Sequence, residues 1–316
     1  MATSINAGNG GLTILLQADP ILLEQTDAAN HGTYFSATGQ RSPLIGEDFP
    51  DEAYAVIATI LKQQQNFDLA SYKSVNMKRR LAAYLRSCGC TDPLHYSAEL
   101  ADRAEEQKRL IAAMGIHVSH FFRNPSTFQA LKSRILPELL RMSRRQNSKM
   151  RIWSVGCALG EEPYSVALLL KEMLQKGDQF AIVGTDLSPD ALKRAKSGYY
   201  PLDRLKEVPP AMLDNYFSAQ AQLYQINEEI RHLVQFFRHD IISEEIIYRA
   251  DLILCRNLLI YFSRDKQQQV LELLAGALSP GGYLVLGRAE TLAPDCRNLF
   301  ICVDPAERIY RRTVDL

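Results

Sequence analysis

The stretch Arg151-Ile-Trp-Ser-Val-Gly156-Cys-Ala-Leu-Gly160-Glu161-Glu162-Pro163 decides the fold. Arg151 to Val155 is a short apolar run suited to a buried strand. Glycine at its end permits a tight turn and close approach of a ligand to the backbone. Pro163 suits the first turn of a helix, which the pattern carries from residue 162 to 174. Further along, Ala181 to Thr185 reads as a second strand and residues 189 to 196 as a helix. Val234 to Arg238, Asp251 to Cys255 and Tyr283 to Gly287 read as three more strands, with a helix over 265 to 278. Strands alternating with helices imply a parallel sheet covered on both faces, an α/β fold. Leu299 to Val303 and Arg308 to Arg312, joined by Asp304-Pro305-Ala306, read as a hairpin on its antiparallel edge. Residues 197 to 233 are too long for an ordinary connection and are expected to form a small inserted subdomain.

Upstream, residues 51 to 114 have helical periodicity. Ala53, Val56, Ile57, Ile60 and Leu61 fall on one face. In the segment from Leu69 to Ser87, Met77, Leu81, Tyr84, Leu85 and Cys88 share another, with Gly89 as a stop. Arg79 and Arg86 point away from that face, and Lys73, Lys78 and Arg80 flank it. These cations form either a solvated face or a docking surface. A further helix is expected from Glu99 to Met114. Residues 115 to 150 are a linker and a first helix. Residues 1 to 50 read as a mildly acidic, mostly flexible arm.

At roughly 150 residues per domain, a chain of 316 suggests two domains. Its 36 basic and 36 acidic side chains cancel, which argues against binding nucleic acid over the whole surface. The six cysteines include one close pair, Cys88 and Cys90, without a second pair at zinc spacing, so no metal site is expected. The chain has no apolar run of the ~18 residues that span a membrane and no basic region before Leu12 to Leu16; a cytoplasmic location is expected.

The site residues sit at the ends of strands, where such sheets bind ligands. The first turn is G-x-x-x-G rather than the dinucleotide pattern, and the acids Glu161 and Glu162 would repel a phosphate. They suit a ligand carrying ammonium and sulfonium charge, S-adenosylmethionine, although acids also favour a helix start through its dipole. Asp186 after the second strand can accept ribose hydroxyls, and Asp240 after the third can accept an adenine amine.

Taken together, His120-Phe-Phe-Arg123-Asn-Pro, Trp153 through Ser165, Gly184-Thr-Asp-Leu-Ser188, Cys255-Arg-Asn-Leu-Leu-Ile-Tyr-Phe262 and Ser279-Pro-Gly-Gly-Tyr-Leu-Val-Leu-Gly287 resemble the chemotaxis receptor methyltransferase (CheR) family over residues 50 to 316. The resemblance implies a Rossmann-like class I methyltransferase domain, a small all-helical N-terminal domain and an inserted β-subdomain. It implies methyl transfer from S-adenosylmethionine to glutamate side chains of chemoreceptors, at receptor arrays, with S-adenosylhomocysteine as product. Cofactor contacts carried over by position are His117, Ser119, Arg123, Gly156, Glu161, Asp186, Asp240, Ile241, Arg256 and Asn257. Arg123 and Tyr261 would line the methyl-transfer pocket, with Arg123 orienting the substrate or supporting the linker. Lys73, Lys78, Arg79, Arg80 and Arg86 would face acidic receptor helices, and the subdomain would offer a place for a receptor-tail tether. The chain departs from the family pattern at Ser119, Leu159, Asp240, Arg288 and Ala289. An alternative is a signalling module of the same fold, impaired in catalysis. Nucleic-acid and small-molecule methyltransferases are disfavoured by the helical unit and the missing amine-site motif.

Overall fold

A computed structural model describes residues 49–115, 119–246 and 248–313. Most of the expected arm, and His117, lie outside the described residues.

Four helices open the described chain: α1 (Asp51–Gln65), α2 (Ser74–Ser87), α3 (Pro93–Leu100) and α4 (Ala104–Met114). Ala53, Ile57 and Leu61 are fully buried against Leu69, Leu81, Leu85 and Leu110, whereas Val56 faces outward. Three helical expectations shift. Asp68 accepts the Ala70 N–H and starts a 3₁₀ turn over Leu69–Ser71, so α2 begins only at Ser74. Asp92 accepts the N–H groups of Leu94 and His95 and Pro93 follows it, so a separate helix starts before Glu99. That helix ends at Leu100, and α4 begins after Arg103.

After the irregular residues 119–124 come α5 (Pro125–Ala130), a π turn and α6 (Leu136–Gln146). The sheet then begins: β1 (Met150–Val155), α7 (Glu161–Met173), β2 (Phe180–Asp186) and α8 (Pro189–Ser197). An interruption carries β3 (Tyr199–Pro201), α9 (Pro210–Tyr216), β4 (Phe217–Gln220), β5 (Leu223–Ile226) and α10 (Glu228–Arg231). Its strands form a separate antiparallel sheet in the order β3-β5-β4. The main sheet resumes with β6 (Val234–Arg238), β7 (Ala250–Cys255), α11 (Arg264–Ala277), β8 (Leu278–Leu286), β9 (Phe300–Asp304) and β10 (Ile309–Arg312).

The seven strands are ordered β6-β2-β1-β7-β8-β10-β9. Five are parallel, and the C-terminal hairpin adds the antiparallel edge. One apolar core lies under α6 and α7 and reaches the small sheet through Phe121, Tyr200 and Phe217; a second lies under α11. The order reverses beside β1: β2 continues on one side, and β7 returns on the other. Gly156, Asp186, Asp240 and Asn257 therefore gather at the carboxyl ends of the parallel strands, where a crevice opens.

Candidate functional site

The turn after β1 is built by backbone conformation. Gly156 and Gly160 have φ of +67° and +89°, and a Cβ on Gly160 would lie 3.0 Å from Ala195 and Phe236. Asp186 locks this turn. Its Oδ2 accepts the Ala158 N–H at 2.9 Å, and its Oδ1 accepts the Ser188 N–H at 2.9 Å, where α8 starts.

Two cavities meet here. The larger, of about 1120 Å³, is lined by Gly156, Asp186, Asp240, Ile241, Asn257 and Tyr261 from the sheet side. Phe67, Tyr72 and Met77 of the helical unit wall its other side. The smaller, of about 40 Å³, is lined by Ser119, Arg123, Gly156, Glu162, Arg256, Asn257 and Tyr261. Gly156, Asn257 and Tyr261 line both. The structure thus brings together every described cofactor candidate except Glu161. The carboxylate on the small cavity is that of its neighbour, Glu162.

Successive helix positions differ by about 100° around the axis. Glu162 accordingly faces the sheet end, accepting from Ser154 Oγ at 2.7 Å and Arg256 Nη1 at 3.2 Å. Glu161 is fully buried beside Arg204, at 3.6 Å. Its oxygens lie near the backbone N–H groups of Glu161 and Leu159 without reaching hydrogen-bond geometry. Burial pushes its pKa up from 4.5 to about 7, against the opposing pull of those N–H groups and of Arg204 and Arg194. The folded chain therefore holds a proton that the unfolded chain releases between pH 4.5 and about 7. Stability contributed by this group is greatest below pH 4.5 and falls until about pH 7. Denaturant titrations of Glu161→Gln should show the variant gaining on the parent by roughly 3 kcal/mol across that window. A constant difference would mean that Glu161 does not titrate there.

Asp240 turns back on its own loop: Oδ1 accepts from Ile242 N at 2.9 Å and Oδ2 from Ser243 Oγ at 2.7 Å. Arg256 is almost fully buried, donates to the Arg123 carbonyl at 2.6 Å and to Asn124 Oδ1 at 2.8 Å, and lies over the Phe128 ring. It fixes the segment that presents Arg123. Arg80 lies 5.6 Å from the Tyr261 ring centroid, and Arg123 shares the small cavity with that ring; burial pushes the Tyr261 phenol up, while these cations draw it back.

Tyr72 and Glu290 were not identified from the sequence as site residues. Tyr72 lines the large cavity together with Asp186 and Asp240, and burial, then the charges of Asp240 and Asp186, push its phenol up. It lies in the stretch Phe67-Asp-Leu-Ala-Ser-Tyr72-Lys, just ahead of α2. Glu290, buried behind the loop after β7, accepts from the N–H groups of Asn257, Ile260 and Gly287.

Of the five candidate receptor-facing cations, Lys73, Arg79 and Arg86 are exposed. Lys78 pairs with Asp51, and Arg80 turns inward to the Met114 carbonyl and the Tyr261 ring. Arg288 pairs with Glu307, and Leu159 packs into the core; neither these two nor Ala289 lines either of the two cavities described above. Among the described residues, no helix is long and apolar enough to cross a membrane.

Residues 117–309 match the family description "CheR methyltransferase, SAM binding domain", and residues 52–114 match "CheR methyltransferase, all-alpha domain". The matched domain and the Rossmann-like sheet define an S-adenosylmethionine-dependent methyltransferase. A chemotaxis protein methyltransferase of Listeria monocytogenes is 33% identical over 242 residues, covering 77% of this chain and 91% of that one. Chemotaxis protein methyltransferase 1 of Pseudomonas aeruginosa is 35% identical over 221 residues, covering 65% and 79%. The Escherichia coli chemotaxis protein methyltransferase is 29% identical over 252 residues, covering 77% and 85%. The chain belongs to the CheR methyltransferase family.

The site suits the cofactor. The crevice exceeds the ~300–1,000 Å³ of ordinary ligand pockets. Carboxylates line it at two strand ends, and a third stands beside the glycine turn; these acceptors and their negative charge favour a cationic nucleoside over a phosphate-bearing one.

Proposed function

We propose that this protein methylates glutamate side-chain carboxylates of chemoreceptors, forming methyl esters in sensory adaptation. The observation that carries the proposal is the junction of the two cavities at Gly156, Asn257 and Tyr261, with Arg123 lining the smaller one. S-adenosylmethionine supplies an electrophilic methyl group on a sulfonium. Asp186 would accept the ribose hydroxyls, and Asp240 and Ile241 would meet the adenine edge, with Tyr72 closing that side. Glu162, rather than Glu161, would hold the ammonium. Ser119, Arg256 and Asn257 would complete the cradle.

The acceptor needs no general base, because a glutamate with a pKa near ~4.3 is already ionised at neutral pH. What the chain must supply is alignment and exclusion of water. Arg123 can grip the attacking carboxylate through paired N–H donors. Tyr261, held by Arg80 and by the bond from the Lys73 N–H to its carbonyl at 2.9 Å, walls the transfer path. A half-enclosed site strengthens the attraction between carboxylate and sulfonium.

Receptor contact would fall to the solvent face of α2, where Arg79 and Arg86 are exposed together with Lys73. The small antiparallel sheet is available for a receptor-tail tether. With methyl-labelled cofactor and a chemoreceptor cytoplasmic fragment, we expect label that is released by alkali, as an ester requires. Label resistant to alkali would refute the carboxylate reading. In the same assay, Arg79→Glu with Arg86→Glu should raise the receptor KM about tenfold, a loss of ~1.4 kcal/mol, and leave S-adenosylhomocysteine affinity unchanged. An unchanged KM would mean that α2 is not the docking face.

A further inference from the structure

We infer that Arg204, on the inserted subdomain, is a positioning residue for the cofactor site; the inference rests on the cofactor reading above. Arg204 closes the 3₁₀ turn Leu202–Arg204 that follows β3. Its carbonyl accepts the Phe121 N–H at 3.0 Å, and its guanidinium donates to the Ser119 carbonyl. One residue thus holds the segment 119–121 at two points, just ahead of Arg123.

The same guanidinium faces the Glu161 carboxylate at 3.6 Å. Glu161 is the first residue of α7, directly after the glycine turn. Arg204 therefore spans the two pieces of chain that bound the smaller cavity: the linker carrying Ser119 and Arg123, and the turn carrying Gly156 and the start of α7. Aromatic packing supports this grip. The Phe121 ring sits edge-on to Tyr200 at 4.8 Å and to Phe217 at 5.3 Å, both on the subdomain. Tyr200 Oη in turn donates to the Leu159 carbonyl of the glycine turn at 2.7 Å.

The physical consequence is a fixed separation between linker and turn. The segment 119–124 has no helix or strand of its own to hold it. Ser165 Oγ accepts the Phe122 N–H at 2.9 Å, and Arg256 holds the Arg123 carbonyl. The Ser119 end depends on Arg204. A guanidinium can serve a carbonyl and a carboxylate at once because its donors are held in a fixed planar fork. An apolar side chain of similar length would keep the packing and lose both contacts.

The test uses Arg204→Met, with calorimetric titration of S-adenosylhomocysteine and amide hydrogen exchange of the ligand-free protein. We expect about tenfold weaker binding and faster exchange across residues 119–123, with the small sheet still protected. Glu161→Gln added to Arg204→Met should return the melting temperature toward the parent value, because no buried carboxylate is then left without its cation. It should not restore binding. Should Arg204→Met fail to fold, Arg204→Lys provides the same comparison, with binding intermediate between the parent and complete loss. Parental affinity and exchange in the single variant would overturn the inference, as would recovery of binding in the double variant. A parent that does not bind S-adenosylhomocysteine would count against the cofactor reading, while the exchange result would still decide the clamp.

Discussion

Asp186→Ala is expected to weaken S-adenosylhomocysteine binding roughly a hundredfold or more, a loss of about 3 kcal/mol. The carboxylate has two duties. It accepts the Ala158 and Ser188 N–H groups and so ties the glycine turn to the start of α8. It also lines the large cavity at the end of β2, the place from which a carboxylate can accept a ribose diol. Hydrogen bonds to a charged group contribute about 1.5–3 kcal/mol each, so losing two together with the turn's anchor reaches the expected loss. Asp186→Asn keeps one acceptor oxygen and should lose only about tenfold, or ~1.4 kcal/mol. Calorimetric titration of folded variants reads both. Alanine binding within a few fold of the parent would remove Asp186 from the site.

The second large effect is expected at Glu290. Its Oε2 accepts Gly287 N–H at 2.6 Å and Asn257 N–H at 2.8 Å, and its Oε1 accepts Ile260 N–H at 3.2 Å. The carboxylate replaces water for a loop that has no regular structure from Arg256 to Leu258. Asn257 in that loop has φ of +59°, an uncommon conformation that needs outside support. Glu290→Gln turns an amide NH₂ against at least one backbone donor. A buried clash of donors of this kind costs roughly 2–4 kcal/mol. The melting temperature should fall by about 5–10 °C. Turnover should fall as well, since Asn257 and Tyr261 border both cavities. A melting temperature within about 2 °C of the parent would contradict this role for Glu290.

Much of the fold was legible because each strand is a short apolar run ending in a glycine, an acid or a polar turn. The expected strand over 234 to 238 matches β6, and those at 151, 181 and 251 each begin one residue late. The strand expected from Tyr283 begins instead at Leu278. Ser279-Pro-Gly-Gly conceals its start, because proline and glycine are ordinarily breakers. Here the register against β7 shifts between Ala250 and Leu252 and takes them in.

The site was legible wherever a residue's place in the chain fixes its place in space. Acids at or just beyond strand ends, Asp186 and Asp240, reach the crevice whatever packs around them. The sequence did not reveal which member of Glu161-Glu162 faces the cavity, since that depends on how α7 rotates onto the sheet. The periodicity did place Arg79 and Arg86 outward and Arg80 on the flank, as observed. It did not show what the flanking Arg80 meets, because Tyr261 is brought beside it by the docking of Tyr72 and Lys73 on Tyr261 and Phe262, a contact between segments about 190 residues apart in the sequence. Tyr72 escaped notice because its partner Phe262 is distant in the chain, and Glu290 because the loop it supports, Asn257 to Ile260, lies about 30 residues upstream.

The most direct test of the account is to map the methyl group after incubating the protein with S-adenosylmethionine and a chemoreceptor cytoplasmic fragment, using tandem mass spectrometry under acidic conditions that preserve esters. Methylation is expected to be confined to glutamate side chains and abolished when those glutamates are replaced by alanine. Methyl groups on lysine or arginine nitrogen would contradict it, as would an unmodified receptor fragment from a protein that binds the cofactor.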